Sequence, residues 1–281
     1  MNLSKFKYAY SRDGIVGFIN IFLSKLGFKI RLKNGIQKRI DWITKIVVRE
    51  TDRIVLSGHY KGIKFHENKW RENDLASKLL GVYESCVQDK IYLVQKNESE
   101  RKKILINLGS ADGFHFIGLL KNDFFEEAVI FEKDLNLLNN LKKNVEINSI
   151  QKKIQYFNEA DENFIKTKLT NLNFKDCFFL IDIEGDEFKI LTKENLKLVK
   201  NSKMIIEFHP KSKNENKKFL NNLKEFFDLE IIYKKLNNLE NIKFLHEFSD
   251  IDRMLACNED RTFLQHWIFC NPKKCKRKLQ F

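Results

Sequence analysis

At 281 residues with 43% hydrophobic side chains, the chain can bury a full core, and its length fits one catalytic domain with an accessory lobe better than two equal domains. The formal net charge of +13 invites nucleic acid or an anionic membrane, yet lysine is spread through nearly every segment beside abundant asparagine, isoleucine and phenylalanine and only 2 prolines. That is the imprint of AT-rich coding, so no specific nucleic-acid partner is expected. The 5 cysteines, an odd number without a C-x-x-C pair, exclude a disulfide framework and a cysteine zinc site.

Taken in chain order, residues 14–23 form an apolar stretch too short to span a bilayer, and Lys25 interrupts it. No small-residue cleavage site of the signal-peptide kind follows, so the expectation is a cytoplasmic protein without a transmembrane segment. Ile15, Ile19, Phe22, Leu23 and Leu26 predict a core helix or one that pairs copies in a homo-oligomer. Ile36, Ile40, Ile43 and Val47 fall at helical spacing, and residues 53–65 read as a β-hairpin around Ser57 to Gly62. Leu75, Leu79, Leu80 and Tyr83 mark another helix, with Asn73 or Asp74 placed to cap it. The polar stretch 95–103 reads as a linker, which divides the chain into an accessory or lid region, 1–97, and a catalytic domain, 98–281.

Residues 104–108 are an apolar strand running into a G-x-x-x-G turn, Gly109 to Gly113, and Glu132 ends the next apolar run, 128–131. Glycines there let the backbone turn sharply and approach a ligand. An acid at the tip of the second strand accepts hydrogen bonds from both hydroxyls of a ribose. NAD and S-adenosyl-L-methionine both carry that ribose. A dinucleotide site wants G-x-G-x-x-G, but position 111 is alanine, and Asp112 adds negative charge where a pyrophosphate would lie. The sulfonium of S-adenosylmethionine is cationic and tolerates the acid, so the turn favours the methyl donor.

Downstream, Leu135, Leu138, Leu141 and Val145 stripe a helix, 153–157 is a short strand ending at Asn158 to Asp161, and 177–183 is a continuous apolar run typical of a central strand. A helix with Phe188, Leu191 and Leu198 follows, then a strand at 204–206. A further helix carries Phe219, Leu223, Phe226 and Phe227, and strands at 229–233 and 262–270 close the chain. Strands and helices in strict turn predict an α/β class: a doubly wound, mostly parallel, seven-stranded Rossmann-like sheet with ligands at the carboxyl ends of its strands.

Asp182-Ile183-Glu184-Gly185-Asp186-Glu187 with Leu191 resembles the D-x-E-G-x-E-x-x-x-L signature of FkbM-type methyltransferases, and 205–209 resembles the strand that follows it in that family. The likeness spans about residues 101–210. Weaker echoes occur at 55–62, 80–84, 252–256 and 267–268, in the manner of a subgroup with an N-terminal extension. The resemblance implies O-methylation of a hydroxyl on a sugar, glycan or secondary metabolite, with S-adenosyl-L-methionine as donor. It places Asn107, Gly109, Asp112, Gly113, Glu132 and Asp161 at the cofactor. Asn107 is a departure, because an acid usually stands there; asparagine offers the methionine amino group a hydrogen bond without charge.

Methyl transfer to oxygen needs alignment and, at most, removal of one proton. Side chains at strand ends select Asp182, Glu184 and His209, with His115 just past the turn. Glu184 would point to the opposite face were the strand to persist, and so fix the turn before Glu187. Four acids in six residues do not make a calcium loop: Gly185 is at position four rather than six, and Lys193 stands where the closing glutamate belongs. No metal site is therefore expected, with a magnesium ion on Asp182 as the minority alternative. A nucleic-acid methyltransferase is the second reading, disfavoured because the loop after the fourth strand lacks the Asn/Asp-Pro-Pro-aromatic sequence and its paired acids repel phosphates. A catalytically silent scaffold is the third, with Asn107 as its hint.

Overall fold

Runs of apolar residues too long for one-sided strands find cover on both faces. In the computed structural model, which describes residues 3–27, 32–67, 72–235, 237–259, 261 and 266–273, seven strands form one sheet. They are β1 (Ile104–Leu108), β2 (Glu127–Phe131), β3 (Lys153–Phe157), β4 (Cys177–Ile181), β5 (Lys203–Glu207), β6 (Phe227–Tyr233) and β7 (His266–Pro272). Their order is β3-β2-β1-β4-β5-β7-β6. The first five are parallel; β7 runs antiparallel between β5 and β6. Every residue of β4 and β5 is buried, which is why β4 and the centre of β5, residues 204–206, read as unbroken apolar runs. The doubly wound, seven-stranded expectation holds, and of the last strand residues 262–265 lie outside the described residues.

The helices are α1 (Leu3–Lys25), α2 (Gly35–Thr51), α3 (Leu75–Leu79), α4 (Ser85–Lys96), α5 (Phe114–Lys121), α6 (Leu135–Ile147), α7 (Phe164–Lys168), α8 (Glu187–Ile190), α9 (Lys193–Leu198), α10 (Lys213–Phe226) and α11 (Asp250–Ala256). Alternate strand residues feed two cores. Leu105, Ile130 and Phe178 pack with α2 to α6, whereas Ile106, Leu108, Phe179 and Ile181 pack with α7 to α10. The first core contains Ile43, Val47, Tyr60, Leu79 and Ile91 beside Phe114 and Leu120, so the N-terminal region shares a core with the sheet.

Several local expectations change. Stretch 95–103 is pinned rather than loose: the Gln95 amide donates to the Lys102 and Phe124 carbonyls and accepts from the Lys102 N–H. The 53–65 hairpin reduces to one antiparallel bridge, Ile54 with Lys64, because tight turns occupy the rest. The helix at 75–83 stops at Leu79, where Gly81 (φ 80°) turns the chain, and α4 follows unforeseen. The helix after Glu187 breaks at Leu191, and Thr192 caps α9 through the Asn195 N–H. Cys177 and Cys270 are fully buried, as expected. On α1, Ile15, Phe18 and Phe22 are exposed rather than packed in the core. Among the described residues no helix is long and apolar enough to cross a membrane.

Candidate functional site

The carboxyl ends of β1, β2 and β4 open on a cleft of about 340 Å³, within the roughly 300–1,000 Å³ of small-molecule sites. Its floor is the turn after β1. Gly109 has φ 78°, and a β-carbon there would lie 1.6 Å from the Asp182 carbonyl oxygen, so the backbones of the β1 and β4 exits touch. Ala111 also takes a left-handed conformation (φ 48°), held by its N–H donating to Glu132 Oε2 at 2.7 Å. Glu132 Oε1 accepts from the Asp134 N–H at 2.9 Å, so this acid clamps the β1 turn to the start of α6. It lines the cleft with Glu159, Asp182, Glu184 and Asp186, five acids against the one lysine of the lining, Lys133, which pairs with Glu159.

Asp182 leaves β4 with its N–H donating to the Leu108 carbonyl. Its side chain is 38% exposed, yet Oδ1 is sealed from solvent. Burial raises its proton affinity, aided by the negative charges of Glu84 and Glu184 against the pull of Glu207 and His209. Beside it Glu207, at the end of β5, is buried to 1%. Burial and the neighbouring Asp182 charge push the Glu207 carboxyl strongly upward, although Arg261 opposes this. The two acids thus hold one proton between them more readily than none. The His209 imidazole lies 3.8 Å from Asp182, 3.6 Å from Glu184 and 3.3 Å from the fully buried Glu187. Burial lowers its basicity, but the Glu187 contact and the surrounding acids raise it more. Glu187 also accepts from the His209 and Gly185 N–H groups, fixing both loops.

A second buried network reaches this site from the N-terminal region. Arg261 bonds both Glu207 and Glu84 through its guanidinium. Glu84 in turn contacts His115 Nε2 at 2.9 Å, and His115 Nδ1 meets the Tyr60 hydroxyl at 3.2 Å. Burial opposes ionisation of Glu84, but the hydrogen bond and charge of His115 and the charge of Arg261 outweigh it, bringing its pKa down to about 2. A carboxylate depressed in the folded state stabilises above its unfolded value and loses that contribution as pH falls through the folded one. Wild-type protein should therefore lose stability between about pH 4.5 and pH 2. In Glu84→Gln that part of the acid dependence should vanish and stability at pH 7 should fall, as followed by urea denaturation across pH. An unchanged acid limb in Glu84→Gln would remove the network from the account.

Of the residues expected at the cofactor, Gly109 and Glu132 line the cleft with Ala111, and Gly113 caps α5 at φ 88°. Asp112 turns away: its carboxylate takes Lys78 Nζ at 2.6 Å and the Phe114 N–H. Asp161 caps Asn163 from outside the lining, and Asn107, buried to 3%, donates its amide to the Leu180 carbonyl. The structure brings Asp182, Glu184 and His209 together, but His115 does not join them. Because β4 ends at Ile181 and Glu184 is left-handed (φ 54°), Glu184 lies beside His209 rather than on the opposite face. Glu84, Glu207 and Arg261 were not foreseen. The signal that singled out Glu132, an acid ending an apolar strand, applies equally to Glu207.

No family model and no curated protein matches this chain. Among solved structures it is similar to an rRNA methylase from Streptococcus thermophilus (9% identity over 67% of this chain and 96% of that one, TM-score 0.44). It is similar also to an O-methyltransferase from Bacillus cereus in complex with SAH (9% identity, 91% and 97% covered, TM-score 0.44). A third is M. capricolum TrmK with S-adenosyl-homocysteine (16% identity, 66% and 68% covered, TM-score 0.40). At these scores and identities the likeness is to the course of the chain.

Proposed function

We propose that the protein is an S-adenosylmethionine-dependent methyltransferase acting on a hydroxyl of a small molecule, sugar or glycan. The observation that carries this is the cleft itself: a glycine turn at the β1 exit and Glu132 at the β2 tip frame a pocket lined by five acids and one paired lysine. Such a lining suits a nucleoside with a cationic sulfonium and repels a pyrophosphate. The FkbM-like motif supplies the finer reading, O-methylation, through Asp182 at the end of β4. The rRNA methylase among the similar structures leaves a nucleic-acid acceptor as the second reading, and the +13 charge favours it. Many lysines are already matched to acids, as in Lys33–Asp41, Lys90–Glu230 and Lys153–Glu127, which favours the small acceptor. A labelled-methyl screen of glycan, small-hydroxyl and RNA acceptors decides between them.

Two expected results bear on this reading. Glu132→Ala removes two charge-assisted hydrogen bonds to the ribose, each worth about 1.5–3 kcal/mol gross. S-adenosylhomocysteine affinity should fall at least tenfold by calorimetry, a factor of about 1.4 kcal/mol, with NAD ignored throughout. Because Glu132 also holds the Ala111 and Asp134 N–H groups, Glu132→Gln is measured beside it. Unchanged affinity in both variants would sink the cofactor assignment. In filter binding at about 0.15 M salt, where a Debye length is ~8 Å, nucleic acid should be retained negligibly. Submicromolar, sequence-dependent retention there would reverse the ranking of acceptors.

A further inference from the structure

Asp182, Glu207 and His209 bring one oxygen from each carboxylate and one imidazole nitrogen within 4.8 Å of one another at the exits of β4 and β5. Two of these atoms are served by no N–H donor and have only a proton to share between the carboxyls. Glu207, 1% exposed, gives Oε1 to Arg261, while its Oε2 receives no hydrogen bond from any described residue. The same is true of the sealed Asp182 Oδ1. Facing carboxyl oxygens in a buried site repel unless a proton is held between them or a cation replaces it. Asp182, Glu207 and Glu84 bring three carboxyl groups around this point, and Arg261 bridges two of them. Glu184 adds a fourth acid at the rim, 72% exposed.

The imidazole is already oriented for ligation. Its Nδ1 side faces the Glu187 carboxylate at 3.3 Å, and the same carboxylate accepts the His209 N–H, so Nε2 is directed at Asp182 Oδ1, 3.8 Å away. A carboxylate behind a histidine is the arrangement that fixes tautomer and ring for a metal. First-row divalent cations hold nitrogen and oxygen ligands at about 2.0–2.2 Å, so two ligands of one ion lie at most ~4.4 Å apart. The 3.8 Å Asp182–His209 separation already meets this, and all three ligand atoms lie within 4.8 Å of one another, so an ion would draw the Glu207 oxygen inward.

We infer that Asp182, Glu207 and His209 form a binding site for a divalent cation of the manganese class. Two carboxylates and one imidazole suit a borderline ion. Calcium wants six or more oxygens, and zinc prefers sites richer in histidine or cysteine. The inference rests on reading the cleft as the reaction site, where such a cation would lower the pKa of an acceptor hydroxyl beside Asp182. The approach of Glu207 to Asp182 was illegible in the sequence because the two stand 25 residues apart, on different strands.

The test titrates chelator-stripped protein with manganese(II), following free ion by electron paramagnetic resonance, with S-adenosylhomocysteine calorimetry on the same samples. One ion per chain should bind below about 1 mM, the weak end of protein cation sites. His209→Ala and Glu207→Gln should each weaken binding at least tenfold, and Glu187→Gln about 10–100-fold through loss of ring orientation. S-adenosylhomocysteine affinity should change less than twofold in His209→Ala. No stoichiometric manganese binding by wild type, or equal binding by folded His209→Ala, overturns the proposal. The wild-type titration and His209→Ala decide it even where the buried Glu207→Gln fails to fold. Cofactor binding without manganese binding would defeat the cation site alone. Manganese binding without cofactor binding would defeat the methyltransferase reading and leave the cation site standing.

Discussion

Replacing Asp182 with asparagine should lower turnover by about 10²–10⁴-fold, the usual loss for a missing general base, while S-adenosylhomocysteine affinity stays within a few-fold of wild type. Asp182 lines the cleft at the end of the central strand, where acceptor hydroxyl and transferable methyl would meet. Its raised proton affinity, set first by burial, makes it a better acceptor of the hydroxyl proton than a solvated carboxylate. Both tasks it would carry, orienting the hydroxyl and accepting its proton, act mainly in the transition state, so the loss belongs in kcat rather than in cofactor affinity. The fold should survive the change. An asparagine amide donates to a facing carboxylate, so Asp182→Asn relieves the pairing with Glu207 without leaving a hole. Glu184→Gln should cost less, because that side chain is 72% exposed at the rim. Full activity in a folded Asp182→Asn protein would remove this residue from the chemistry and leave His209 as the next candidate. Stimulation of wild type by manganese, absent in Asp182→Asn, would connect the proton step with the cation site.

The parts of this fold legible in the sequence are those whose signal is local. β4, and β1 and β2 apart from Asn107 and Glu127, are apolar because helices cover both faces, and Gly109 announces itself because only glycine fits where two backbones touch. Glu132 is legible for the same reason: its role follows from standing at a strand tip. What escaped depends on partners far away in the chain. Helix α4 hides because its buried side includes Gln88 and Gln95, whose amides serve backbone carbonyls at Tyr83, Lys102 and Phe124. Asp112 occupies the expected turn position, but Lys78, 34 residues earlier, draws its carboxylate off the cleft. Arg261 joins Glu84 and Glu207 across 177 and 54 residues, a separation at which no spacing rule operates. Motif position thus located the strand exits correctly, whereas the side chains' destinations were set by the N-terminal region packed against α5.

That dependence on backbone contact gives the largest expected effect on stability. Gly109→Ala should leave little folded protein, or fold with a thermal midpoint far below wild type, and should abolish S-adenosylhomocysteine binding in whatever survives. Two penalties combine. The left-handed conformation, φ 78°, costs a residue with a β-carbon about 1–2 kcal/mol. The second is steric and larger, because the new carbon would lie 1.6 Å from the Asp182 carbonyl oxygen and 2.8 Å from its carbon. These are backbone atoms and cannot rotate aside. They are held in place by the Asp182 N–H donating to the Leu108 carbonyl and by the Gly109 N–H donating to that of Phe131. Relief therefore requires separating the exits of β1 and β4, which unseals the core beneath Leu108 and Ile181 and widens the cleft floor. Gly62→Ala isolates the conformational penalty: φ is 88° there, and nothing lies within 4 Å of the added carbon. Urea denaturation of the two variants should place Gly62→Ala near the one-residue cost and Gly109→Ala beyond about 4 kcal/mol, the range that marks a broken core rather than a strained turn. Equal midpoints for the two would mean that the β1 and β4 exits do not touch, and the geometry assigned to the cleft floor would fail with them.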